Sequence, residues 1–333
     1  MTPVFIVGTG RCGSTLLSEF LAAHPAILSL SELLVFLTDL GGRIDAAFPE
    51  GLVDGEAAWR LLAGVYPRQT LMLRHDVMMD EALYRPGPGR RFDRTSGVPA
   101  VAATTLPHLG GDPDEWFDRL ESMARGLPPA PWGETFSALF GRLCEARGAR
   151  IWVERSGGSL RVVERLLRHF PGARFVHIVR DGRDTAVSMS RHRGFRLALA
   201  AAQITEILGV DPYESSDRTW EADLPDDLVP YLPERFDAAR FRDEVTPLPL
   251  CGMYWSGEIL AGVGALASLP SERLLTLRYE AILEDPRAEV GRLFRFLLGE
   301  DVEPDLDAAA ARVRRPRSDW RTLPEREREE LES

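Results

Sequence analysis

The sequence predicts an α/β protein, a three-layer parallel sheet flanked by helices and interrupted by long insertions. Short runs of Val, Ile and Phe of strand length alternate with amphipathic segments of helical period, and strands that alternate with helices build parallel sheets covered on both faces. At 333 residues and 44% apolar the chain can fill one large core. A single domain over 1–333 is therefore the simplest organisation.

The elements follow in order. Pro3–Val7 reads as a buried strand. Ser14–Ala23 places Leu16, Leu17, Phe20 and Leu21 along one side and reads as the next helix, stopped by His24-Pro25. Ala26–Leu30 and Arg150–Val153 are expected as the second and third strands. A helix over 159–170 then carries Val163, Leu166, Leu167 and Phe170 inward until Pro171-Gly172 ends it. Arg174–Val179 is the strongest strand signal, and a helix resumes from about Asp184. Leu274–Leu277 is a fifth strand. The helix after it has Asp285 as N-cap, Pro286 at its first position, Val290, Leu293, Phe294 and Leu297 inward, and Gly299 as stop.

Two stretches break this rhythm. Residues 41–148 and 195–250 are rich in Gly, Pro and Asp, and long insertions in a compact domain are lids or binding loops. They are expected to cover the acceptor side of a site. Tyr254 and Trp255 lie on a further amphipathic segment, as an aromatic pair expected in the core. The run Glu325–Glu330 reads as a solvated helix end.

Charge limits the function. Forty basic and 51 acidic residues give a formal charge of −11, which disfavours a general nucleic-acid or anionic-membrane binder. Any anion site must be local. The chain contains no lysine, so its cationic side chains at neutral pH are arginines and no side-chain amine can shuttle a proton. Cys12, Cys144 and Cys251 are odd in number and widely spaced, which predicts neither a disulfide framework nor a metal site. The N-terminal apolar run is short for a signal peptide, and no stretch approaches the ~18 apolar residues of a membrane span. A cytoplasmic protein is expected.

The segment Gly8-Thr9-Gly10-Arg11-Cys12-Gly13-Ser14-Thr15 joins the first strand to the first helix. Backbone N–H groups and a helix N-terminus make an anion site there, and glycines let a phosphate approach. Arg11 adds a bidentate cation, and Ser14 and Thr15 add hydroxyls. The loop fits three templates. It has Walker A spacing from Gly8 to Gly13, as in kinase-like nucleotide-binding proteins, yet Ser14 stands where their lysine belongs. It also spells G-x-G-x-x-G with Glu32 at the end of the second strand, as in NAD(P)-dependent dinucleotide folds, although Leu16 and Leu17 are bulky where that fold packs closely.

The third template is a family resemblance. Arg11-Cys12-Gly13-Ser14-Thr15-Leu16 resembles the R-S-G-T-T-L phosphosulfate loop of sulfotransferases that use 3'-phosphoadenosine 5'-phosphosulfate (PAPS), in the branch of the bacterial and tyrosylprotein enzymes. Phe175–Ser188 resembles that family's 3'-phosphate motif, a strand ending in Arg180-Asp181 with Ser188 eight residues on. Trp152-Val153-Glu154-Arg155-Ser156 is similar to its W-x-E-K-[ST] stretch, with Arg155 replacing lysine. Arg278-Tyr279-Glu280 before Asp285-Pro286 is similar to the segment near adenine. Ser318-Asp319-Trp320 resembles a terminal S-K-W faintly.

The resemblance implies a P-loop-like fold and sulfuryl transfer from PAPS, with PAP as product, to a hydroxyl or amine of a small-molecule, carbohydrate or lipid acceptor. It implies that Gly10, Arg11, Cys12, Gly13, Ser14 and Thr15 hold the 5' side, that Arg180 and Ser188 read the 3'-phosphate, and that Tyr279 lies by the adenine. Arg11 and Arg155 would neutralise the departing phosphate, with no metal required. Glu32 is the expected base, near an anion and partly buried so that its pKa rises. It could instead pair with an arginine such as Arg11. His75, beside Asp76, is the alternative base.

Overall fold

The structure, a computed structural model, describes residues 2–300, 305–314 and 319–332. Five strands form one sheet: β1 (Val4–Val7), β2 (Ile27–Ser31), β3 (Ile151–Arg155), β4 (Arg174–Val179) and β5 (Leu274–Arg278). Their order is β2-β3-β1-β4-β5, and every neighbouring pair is parallel. Val4 of β1 stands opposite Val153 on one side and Arg174 on the other, so β1 is central and its C-terminal loop opens between neighbours on both sides. This is the P-loop-like parallel sheet that the sequence predicts.

The period of two sorts β1 between two cores. Val4 and Ile6 join Leu17, Phe20 and Leu21 of helix α1 (Ser14–Ala22) on one face. Phe5 and Val7 face the other way, toward Leu28, Trp152 and Phe175 of the flanking strands. Helices therefore cover both faces, which is why these strands read as continuous apolar runs rather than alternating ones.

The insertions are largely helical. Helix α2 (Leu33–Leu37) follows β2 directly, and α3 (Gly55–Leu62), α4 (Pro67–Arg74), α5 (Pro113–Arg125) and α6 (Trp132–Arg147) lie in the first insertion. Its Gly, Pro and Asp content marks helix ends. Asp54 and Asp112 cap N-termini, Pro67 and Pro113 open helices, and Gly148 closes α6 in the left-handed region. Trp59, Phe117, Phe136 and Phe140 bury their rings in the larger core.

After β3, a 3₁₀ turn at Leu160–Val162 leads into α7 (Val163–His169). Helix α8 (Gly182–Ser190) starts two residues before the expected Asp184, because Asp181 caps it by accepting from Arg183 and Asp184 N–H. Helix α9 (Arg193–Leu208) and α10 (Leu248–Ala267) follow, then α11 (Tyr279–Glu284), α12 (Pro286–Leu298), α13 (Leu306–Arg312) and the solvated α14 (Glu325–Glu332). Asp285 caps α12 as expected, accepting from Ala288 N–H at 3.0 Å.

One sequence reading is corrected here. Helix α10 is long and apolar enough to cross a membrane by length and composition. Its Pro249 and buried Glu258 interrupt the apolar run read along the sequence, and in the fold Glu258 pairs with Arg161. The three cysteines are buried and free, as their spacing predicts.

Candidate active site

The loop from Gly8 to Gly13 is shaped by close contacts. Gly10 and Gly13 have φ of 76° and 96°. A Cβ on Gly10 would stand 2.5 Å from the Phe195 ring, and one on Gly13 would stand 2.2 Å from the Tyr279 ring. Glycine is thus required twice. Gly13 caps α1 without any side-chain bond, leaving the Ser14 and Thr15 N–H groups without intrahelical partners while Leu16 N–H donates to the Gly13 carbonyl.

Arg11 is itself left-handed, with φ 55°, a conformation uncommon outside glycine. Its Nε donates to Ser188 Oγ at 3.2 Å, tying the loop to α8. Arg180, 6% exposed at the end of β4, donates from Nη1 to the Arg11 carbonyl at 3.0 Å and lies over the Tyr279 ring at 4.9 Å. Its Nη2 is buried without a partner. Cys12 turns into the core beneath α1 and does not line the cavity, so only its backbone belongs to the anion loop.

A second cluster sits at the ends of β2 and β3. Glu32, with φ 54°, accepts from Gly157 N–H at 2.9 Å through Oε2 and is ion-paired with Arg155 through Oε1. Burial pushes its carboxyl above the ordinary range, and Arg155 and Gly157 pull it back down. Arg155 also donates to Ser31 Oγ. Its side chain lies behind Glu32 and is not among the residues of the cavity wall. In chemical terms, Arg155 stabilises the charged form of Glu32. The neighbouring Glu154 accepts from Leu34 N–H and Ser156 Oγ, and burial pushes it up to about 8.

Glu81, at the edge of the first insertion, is a third acid that sequence reasoning missed. It accepts from His192 Nε2 at 3.0 Å and pairs with Arg11 at 3.4 Å. Phe195 N–H donates to His192 Nδ1, which leaves the proton on Nε2 facing Glu81. Burial raises the Glu81 carboxyl, yet the bond and charge of His192 and the charge of Arg11 outweigh it and hold it at about 2. Glu81 is therefore a fixed anion rather than a base.

These groups line one cavity of about 910 Å³. At one end lie Gly10, Arg11, Gly13, Ser14, Thr15, Arg180, Ser188 and Tyr279, and Arg312 and Arg314 are also on the wall. Glu32 and Tyr254 are on its wall too, and Arg161 lies over the Tyr254 ring at 4.8 Å. Tyr254 is thus a wall residue as well as a packed one.

His75, the alternative base, is not on the wall; it packs on Phe236. His24 accepts from Ala26 N–H and belongs to the helix end. Asp319 caps its own turn by accepting from Arg321 N–H, and Arg183 covers Trp320 at 3.9 Å. Ser318 lies outside the described residues. His192, four residues past Ser188, was the one missed group within reach of a recognised motif. Glu81, Arg312 and Arg314 stand in segments with no motif.

The model of the sulfotransferase family matches residues 3–86 and 123–243, more than half of the chain. No curated protein matches it. Among solved structures, the sulfotransferase domain from the curacin biosynthetic pathway is similar at 17% identity and TM-score 0.43, over 98% of this chain and 82% of that one. The sulfotransferase domain of the Synechococcus olefin synthase is 14% identical with TM-score 0.41, over 99% and 93%. A sulfotransferase from Alicyclobacillus acidocaldarius is 17% identical with TM-score 0.37, over 94% of each chain.

Proposed function

The chain belongs to the sulfotransferase family and transfers sulfuryl groups, and from that premise we propose that PAPS is the donor and Glu32 the base. The observation that carries this reading is the unpartnered Nη2 of buried Arg180, beside a loop whose glycines let the Phe195 and Tyr279 rings close in on the backbone. These residues fit a nucleotide phosphorylated at both ends. The first-turn N–H groups of α1 with Ser14 and Thr15 take the 5' side, and Arg180 with Ser188 takes the 3'-phosphate. Tyr279 borders the base, and Arg312 and Arg314 add positive charge at that end of the cavity.

The donor brings an activated sulfuryl group on a phosphate leaving group. Glu32 takes the proton of the acceptor hydroxyl or amine as that atom bonds to sulfur, while the bond from sulfur to the phosphate oxygen breaks and its electrons leave with PAP. Arg11 neutralises the departing phosphate. Arg155 tunes Glu32 from behind. The insertions 41–148 and 195–250 supply the acceptor-side cover, around a small acceptor rather than nucleic acid.

A thermal-shift panel tests the donor. PAP is expected to raise the melting temperature while NADPH and ATP leave it unchanged, since a ligand that binds only the folded state stabilises it. A shift with NADPH and none with PAP would overturn the reading.

A further inference from the structure

Resting on that sulfotransferase reading, we propose that the acceptor is an elongated, uncharged lipophilic alcohol that lies along α9. The cavity extends from the phosphate loop down this helix. Phe195, whose ring packs on Gly10, stands at the near end, and Ala198, Leu199, Ala202 and Glu206 follow on the same wall. At 1.5 Å per residue, Phe195 to Glu206 spans about 16 Å. The opposite wall is Leu34, Val35, Leu40 and Ile44, from α2 and the loop after it. That length exceeds what a single sugar ring or a small phenol fills.

The charges of this half exclude anionic acceptors. Its cations are Arg68 and Arg161, and each is already held by a carboxylate. Arg68 donates from Nη2 to Asp211 at 2.8 Å and from Nη1 toward the Asp39 and Leu40 carbonyls, while Arg161 pairs with Glu258. The hydroxyls offered there, Thr38 and Thr205, already donate to helix carbonyls of Val35 and Ala201. A sugar, with a hydroxyl on nearly every carbon, would find only Glu206 and the Arg68–Asp211 pair as partners and would lose more water than it regains. An aliphatic chain loses nothing polar and is stabilised by each methylene it buries. The groove is continuous with Glu32 and the phosphate loop, so such an alcohol can place its hydroxyl at the base while its chain follows α9.

The test is a turnover panel of 1-dodecanol, 1-hexanol, glucose and a tyrosine-containing acidic peptide with PAPS, products identified by mass spectrometry, with PAP calorimetry in parallel. The expected result is dodecyl sulfate, with kcat/KM at least about tenfold above that for hexanol. Ala202→Trp, which fills the groove midway, is expected to raise the dodecanol KM about tenfold while the PAP dissociation constant stays within about twofold. If PAP binds but dodecanol is not sulfated, or if glucose or the peptide is preferred, the acceptor class is wrong and sulfuryl transfer stands. If PAP does not bind, the donor assignment on which this rests falls with it.

Discussion

Glu32 on the cavity wall is paired directly with Arg155 behind it, the two residues 5% and 2% exposed. A carboxyl this buried would remain protonated alone, and the arginine behind it restores part of its ionised form. In the proposed mechanism this pair sets the pH at which Glu32 works as a base. Glu32→Gln is expected to lower turnover by ~10²- to 10⁴-fold with the PAP dissociation constant nearly unchanged. Wild-type turnover in that variant would remove Glu32 from the mechanism.

Arg155→Met tests the arginine. Its positive charge lowers the Glu32 pKa, so its loss raises that pKa, and the base then ionises only at higher pH. The acid limb of the kcat profile is expected to move up by about one pH unit or more. Folding stability should also drop by ~3–5 kcal/mol, because one partner of a buried pair has gone. An unmoved acid limb would assign the titration to another group.

Arg180→Ala is expected to weaken PAP by roughly 10- to 100-fold and adenosine 5'-phosphosulfate, which lacks the 3'-phosphate, far less. Calorimetry with both ligands makes the comparison. Equal losses would make Arg180 a structural partner of the Arg11 carbonyl and nothing more.

Glu81→Gln removes a fixed anion that neutralises Arg11. PAP, itself an anion, is then expected to bind several-fold tighter at low salt, with the gain fading as ionic strength rises. Unchanged affinity would show that Arg11 does not meet the ligand.

Glu154 gives a stability test apart from catalysis. Its folded pKa is raised to about 8 from an ordinary 4.5 by burial, so between those values the folded state binds more protons than the unfolded one. Stability therefore falls as pH rises through that window. Glu154→Gln, which keeps an acceptor for Leu34 N–H and Ser156 Oγ, should abolish this contribution. The melting temperature of wild type minus that of the variant is expected to decline from about pH 5 to about pH 8.5. A flat difference would contradict the raised value.

The parts legible in the sequence were those with a local signal. All five strands and the helices after β1, β3, β4 and β5 could be read, because apolar period and capping residues act over a few positions. The helices of the insertions were hidden by their own caps, since Asp54, Pro67, Asp112 and Gly148 look like loop composition when no neighbour is known. The glycine loop, Arg180 and Ser188 carried motifs. The pairing of Glu32 with Arg155 rather than Arg11 depends on β2 lying beside β3, where Ser31 and Arg155 are in register, and strand order is not written in either segment. Glu81 reaches Arg11 only through the fold of the insertion. No spacing announces it.

The contact between Gly13 and Tyr279 joins the first loop to the residue after the last strand. The anion pocket draws on the carboxyl ends of β1, β4 and β5, strands scattered across nearly the entire chain. Parallel sheets of this kind close only when distant segments meet, and such non-local closure is slow. A nascent chain emerging from the ribosome carries its glycine loop first but gains Tyr279 only 266 positions after Gly13. The growing polypeptide consequently cannot form the complete proposed nucleotide pocket until β5 and Tyr279 have been made, and a donor nucleotide could act as a folding ligand only from that point on.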